Sequence, residues 1–77
     1  VNVTERVKAR IHVRRSLPEP ALRVALRRRA GLTQRELAEI LGVDRTAIAH
    51  WEAGRRHPEG KRLTDYVEAL QAFEDAA

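Results

Sequence analysis

The sequence predicts an all-α fold, and three observations predict it. Apolar residues recur at three- and four-residue spacing along 20–30, 33–41, 45–51 and 60–73. Matched start and stop signals frame the middle of the chain: Thr33 and Asp44 as N-caps, Gly42 and Gly54 as C-terminal stops. Prolines at 18, 20 and 58 fall at joints rather than inside a periodic run.

Residues 1–17, VNVTERVKARIHVRRSL, form a basic extension that carries two patterns. Val7, Ala9, Ile11 and Val13 alternate with Lys8, Arg10, His12 and Arg14, as in a strand, while Val3, Val7 and Ile11 repeat every fourth residue behind Thr4, as in a helix. A helix is preferred, because a lone strand has no partner in an otherwise helical chain; pairing of two such strands in a dimer would reverse that preference.

Pro18-Glu19-Pro20 then separates the extension from residues 18–77, which form one helical domain. The prolines bias Leu17 and Glu19 away from helix, and Pro20 suits a first helical turn. The next helix is expected over about 20–30, with Leu22, Leu26 and Ala25 inward and Arg23 and Arg27 to Arg29 around the rest.

Gly31 to Arg56 reads as two short helices joined by a glycine turn, a helix-turn-helix. Thr33 with Glu36 three residues on makes a capping box, in which hydroxyl and carboxylate each satisfy an end donor. Leu37, Ala38 and Leu41 line one face, and Gly42 can take the left-handed conformation without a Cβ penalty. Asp44 starts the second helix, Ile48 and Trp51 supply its buried side, and Arg45, Thr46, Ala49 and His50 remain for its outer face. The small residues Ala38 and Ala47 let the helices cross closely. Arg55-Arg56-His57-Pro58 is a basic loop, followed by a last helix over about 60–73 with Leu63, Tyr66 or Val67, Leu70 and Phe73 as its stripe.

Composition narrows the function. Seventy-seven residues allow one small core, burying about 60% of the unfolded surface, so a partner subunit could add stability. The absence of cysteine excludes disulfides, thiolate metal sites and a cysteine nucleophile. No run approaches the ~20 apolar residues of a membrane span, and the basic start lacks the apolar stretch of a signal peptide. A cytoplasmic protein without a membrane partner is expected.

Charge is divided along the chain. Residues 1–36 carry ten Lys and Arg against three acids, net +7, whereas residues 37–77 carry five against eight, net −3. A basic half suits a polyanion, and the acidic end belongs away from it or against another protein.

The residues Gly31-Leu32-Thr33-Gln34, Leu37-Ala38, Leu41-Gly42-Val43, Ile48, Trp51-Glu52 and Gly54 resemble the Cro and phage-repressor helix-turn-helix domains, often called XRE-like. The resemblance covers about Leu22 to Leu70 and does not reach residues 1–19. It implies a compact four- or five-helix, lambda-repressor-like domain that binds an operator in double-stranded DNA, usually as a homodimer. It also places a salt bridge between Arg27 and Glu52, joining the first domain helix to the end of the recognition helix.

A recognition helix enters the major groove with its N-terminal residues against base edges. By motif position Arg45, Thr46 and His50 match the family's base-reading sites, with Ala49 between them. Arg45 can bond guanine O6 and N7 together, worth about 1–3 kcal/mol of discrimination. Gln34 lies in the first turn of the preceding helix, where free N–H groups and the dipole favour an anion, and the family match puts a backbone-contacting glutamine there. Arg55, Arg56 and Lys61 can clamp the next phosphates; Arg35 is a lesser candidate. Asp44 departs from the family's usual Ser or Thr and repels phosphate, so its role is read as capping.

Other functions fit less well. Trp51 sits three residues after Ile48 on the buried side, which favours core over base stacking. His12, His50 and His57 lack metal-site spacing, no nucleophile–base arrangement stands out, and neither catalysis, metal, cofactor nor small-molecule effector is expected. A bacterial or phage transcriptional regulator, a repressor in the family's manner, is the leading reading. An antitoxin, an excision or recombination accessory factor of a mobile element, and a protein-interaction module are the alternatives. The extension, through Arg6, Lys8, Arg10, Arg14 and Arg15, either follows DNA as a basic arm or packs as an extra helix through Val7 and Ile11.

Overall fold

Five helices and the turns between them make up the computed structural model, which describes residues 2–76. They are α1 (Val3–Arg15), α2 (Pro20–Arg29), α3 (Gln34–Leu41), α4 (Arg45–Glu52) and α5 (Lys61–Ala76). No strand occurs among the described residues. Val1 and Ala77, the outer ends of the two expected segments, lie outside them.

The extension is therefore helical, but it starts earlier than Thr4 suggests. Asn2 is its N-cap, with Oδ1 accepting from the Glu5 N–H at 2.8 Å. Glu5 in the first turn and His12, Arg14 and Arg15 in the last complement the helix dipole. No residue of α1 is buried; Val3, Val7 and Ile11 are 74%, 50% and 42% exposed. Packing through Val7 and Ile11 is corrected accordingly. The helix is turned so that Ala9 and Val13 face the start of α5 across a shallow groove.

In α2 the expected inward set is also corrected. Leu22 is 46% exposed and Ala25 is exposed, whereas Arg23, Leu26 and Arg27 are buried. The inward stripe 23, 26, 27 keeps helical spacing, and two arginines occupy it because each finds partners there. Arg23 Nε donates to the Pro18 carbonyl at 2.6 Å and Nη1 to the Trp51 carbonyl at 2.8 Å, near the end of α4. Buried cations without such acceptors would cost several kcal/mol, on the order of the penalties known for unpaired buried charge.

The core is Leu26, Leu37, Ala38, Ile48, Trp51, Tyr66 and Leu70, with Leu41, Val43 and Phe73 packed at its edge. Both Tyr66 and Val67 are buried, so α5 presents a wider stripe than a choice between them implies. The Trp51 and Tyr66 rings lie 4.9 Å apart, tilted by 44°. Trp51 is 5% exposed and is a core residue, not a stacking platform. Tyr66 Oη is buried with no hydrogen-bond partner among the described residues. Burial, and secondarily the charge of Glu52, pushes its pKa up to about 12.

Local signals set the α3–α4 unit. The Thr33 hydroxyl accepts from the Glu36 N–H and the Glu36 carboxylate from the Thr33 N–H, both at 3.0 Å. The Thr33 N–H, and after it the Thr33 hydroxyl, hold the Glu36 carboxyl below the usual carboxylate range. Gly42 is left-handed at φ 68°, and the chain reverses as the Val43 N–H reaches the Ala38 carbonyl at 3.0 Å. Asp44 stands at the N-cap position of α4 in extended conformation, but its side chain caps nothing. The expected carboxylate cap is corrected: Asp44 closes the turn through its carbonyl, which accepts from Ala47 and Ile48. Gly54 ends α4 at φ 72°, with Pro20 Cγ only 3.3 Å from where a Cβ would stand.

Candidate nucleic-acid interface

Three helices bring one polar chain to the surface. Arg27 on α2 donates from Nε to Glu52 Oε2 at 2.5 Å and from Nη2 to Glu52 Oε1 at 3.0 Å, a two-pronged pair. Its third nitrogen, Nη1, donates to the Leu32 carbonyl at 2.8 Å, tying the turn before α3 to the same guanidinium. Both side chains are almost enclosed, at 8% and 4% exposure. The bonds to Glu52 raise the Arg27 pKa above its ordinary value, against the effect of burial.

The chain continues outward. Gln34 Nε2 donates to Glu52 Oε1 at 3.0 Å, and Gln34 Oε1 accepts from Arg45 Nη1 at 3.0 Å. Only one orientation of the amide serves both neighbours, because a carboxylate can only accept and a guanidinium can only donate. An unbroken path of hydrogen bonds thus runs from buried Arg27, through Glu52 and Gln34, to exposed Arg45 at the first turn of α4. The contact holds one edge of the Arg45 guanidinium and leaves its other donors to solvent.

The family resemblance places the Arg27–Glu52 pair; the bonds that continue from Glu52 through Gln34 to Arg45 were not foreseen from the sequence. At Gln34, where the resemblance implies a phosphate contact, the amide is engaged on both sides and keeps one N–H outside these two bonds. The signal for that bond was the pairing of a glutamine at the start of one helix with an arginine at the start of the next.

The remaining residues take these places. Arg45 and Thr46 are exposed at the first turn of α4, and Ala49 and His50 are half-buried one turn on. Arg35, Arg55 and Arg56 are exposed. Lys61 is exposed too, but its ammonium pairs with Asp65 one turn along α5 at 2.6 Å, which raises its pKa. Arg62, which the sequence reading did not single out, and His57 of the basic loop line a groove with Thr46, His50 and Arg56. Their position inside the basic run 55–62 was the available signal. Asp44 and Glu59 are acids on the same groove. Among the described residues no group of acids or histidines is arranged to hold a metal ion, and no helix is long and apolar enough to cross a membrane.

The profile of a helix-turn-helix family matches residues 25–72, more than half of the chain, and spans the whole α3–α4 unit with the second half of α2 and most of α5. Neither curated proteins nor solved structures yield a match. With the capping box, the left-handed Gly42 and the buried Ile48–Trp51 face in place, the chain belongs to the Cro/C1-type, XRE-like helix-turn-helix family of DNA-binding regulators.

Proposed function

We propose that the chain is a sequence-specific, double-stranded DNA-binding regulator of transcription that inserts α4 into the major groove. One observation carries this reading: Arg45 and Thr46 stand exposed at the first turn, and Ala49 and His50 half-buried at the next, of a helix locked into the core by Ile48 and Trp51. A short helix with its N-terminal residues free is the shape that reaches base edges. Arg45, Thr46 and His50 supply a guanidinium, a hydroxyl and an imidazole for groove atoms, and the Ala49 methyl suits a thymine methyl. Gln34, Arg35, Arg55, Arg56 and Lys61 are assigned to phosphates, Arg56 lining the groove beside α4 and Lys61 exchanging its half-buried Asp65 partner for a phosphate oxygen.

In this reading residues 18–77 are the DNA-binding domain and residues 1–17 an appendage. The protein acts in the cytoplasm as a homodimer on a two-fold site, with half-sites about 10 bp apart. A domain this small reads few base pairs alone, which is why a dimer is invoked. Selection of bound duplexes from a random pool tests the proposal. A two-fold consensus is the expected result; a pool that never departs from random overturns the reading in favour of a protein-interaction module.

A further inference from the structure

The extension can be assigned more finely than arm or packing helix. Three adjoining grooves share their walls. The first lies between α1 and the start of α5, walled by Arg10, Val13, Arg14 and Lys61. The second shares Arg14 and Leu63 with it and continues over His57, Pro58 and Glu59. The third shares His57, Pro58 and Glu59 and opens on Thr46, His50, Arg56 and Arg62 of the candidate interface. A single furrow therefore leads from the recognition helix to the extension.

Its cations are distributed along its whole length: Arg56 and Arg62, then Arg14, then Arg10 and Lys61. Arg23, also on the second groove, is occupied by the Pro18 and Trp51 carbonyls and contributes nothing to a ligand. Arg10 and Arg14 are exposed and make no side-chain hydrogen bond or salt bridge among the described residues. Lys8 and Arg15 have no place on the furrow; at about 100° per residue they fall on the far side of α1 from Arg10 and Arg14.

We infer that α1 extends the DNA footprint: Arg10 and Arg14 bind the phosphate backbone where it leaves the recognition helix, while Lys8 and Arg15 do not. The inference rests on the reading of α4 as a groove-inserted helix and adds a second contact zone to it. It is supported by charge complementarity and by continuity with the candidate interface. Two acids oppose it: Glu59, on the second and third grooves, weakens the attraction at mid-furrow, and Asp44 stands at the α4 end.

The test uses the full chain and a duplex long enough to flank the selected site on both sides. Affinity is measured against salt for the unaltered chain, Arg10→Gln/Arg14→Gln, Lys8→Gln/Arg15→Gln and Glu59→Gln, with helicity of each checked by circular dichroism. The log–log slope should become shallower by about 0.9 for each furrow arginine removed, with base preference unchanged. The Lys8/Arg15 pair removes the same charge and should leave the slope within error of the unaltered chain; Glu59→Gln should tighten binding. Equal losses from both arginine-bearing pairs, or no loss from Arg10/Arg14, overturns the inference while leaving the role of α4 standing. Failure of the unaltered chain to bind any duplex overturns both.

Discussion

The α3–α4 unit and α1 differ both in polarity, α1 being much the more polar, and in what holds them. α3 and α4 total sixteen residues and bury five of them, and polar bonds tie α4 to α2 and α3 to α4. α1 runs thirteen residues, buries none and is anchored to the rest only along the start of α5. A helix is set by its caps and spacing in both cases. Whether it is also fixed in place depends on what its inner face meets. The recognition helix has to be rigid to read bases, and its inner face is tryptophan and isoleucine; a helix that meets only phosphates needs charge more than anchorage.

That contrast can be broken first at the core. Trp51→Ala is expected to cost about 3–5 kcal/mol, enough to unfold much of so small a domain at room temperature, whereas Ile11→Ala should stay within about 0.5–1 kcal/mol, as surface changes do. Thermal melts followed by circular dichroism compare the two directly. Comparable losses would show α1 to be as firmly packed as α4.

Glu52→Ala comes next. It strands the Arg27 guanidinium, removes an acceptor from Gln34 and frees Arg45 at the end of the path, at an expected cost of about 2–4 kcal/mol for a nearly enclosed pair. Both thermal stability and DNA affinity should fall. Unchanged values for both would mean that the pair fixes neither fold nor orientation.

Tyr66 gives a pH test of similar size. Its ordinary pKa near 10 rises to about 12 in the fold, so the unfolded chain gives up the phenolic proton first. Stability from this group is complete below pH 10 and is lost as pH climbs through 12. By linkage the loss is about 2–3 kcal/mol. Tyr66→Phe should remove that part of the alkaline slope and, because the hydroxyl has no partner, cost little at neutral pH. Denaturant melts of both proteins from pH 8 to 12 decide it.

The smallest expected difference separates the two N-caps. Thr33→Ala should cost about 1 kcal/mol, since both arms of its capping box are formed. Asp44→Ala should cost only a few tenths, because the carboxylate makes no cap bond and the closing acceptor is the backbone carbonyl. Equal losses would restore the carboxylate cap.

What could be read from the chain follows the same division. Thr33, Glu36, Gly42, Ile48 and Trp51 each act through neighbours three or four residues away, so spacing alone located them. The Arg27–Glu52 pair lies twenty-five residues apart and was reachable only through resemblance to a family. Arg23 was misplaced because hydropathy assigns an arginine to solvent, while here two carbonyls from Pro18 and Trp51 wait for it. Leu22 was misplaced for the complementary reason: an apolar side chain was assumed to face inward, and the arginines had already taken that stripe. The furrow from α4 to α1 was invisible because its walls come from separate segments that only the fold brings side by side.

The central claim is that Arg45, steadied by Gln34, reads a base. The direct measurement is the affinity of the unaltered chain and Arg45→Ala for the selected duplex and for each single-base change in it, at one salt concentration. Arg45→Ala should lose about 1–3 kcal/mol on the selected duplex and become indifferent to one base pair while still discriminating at the others. A uniform loss across all duplexes, with every preference intact, would contradict the claim and reduce Arg45 to a phosphate contact.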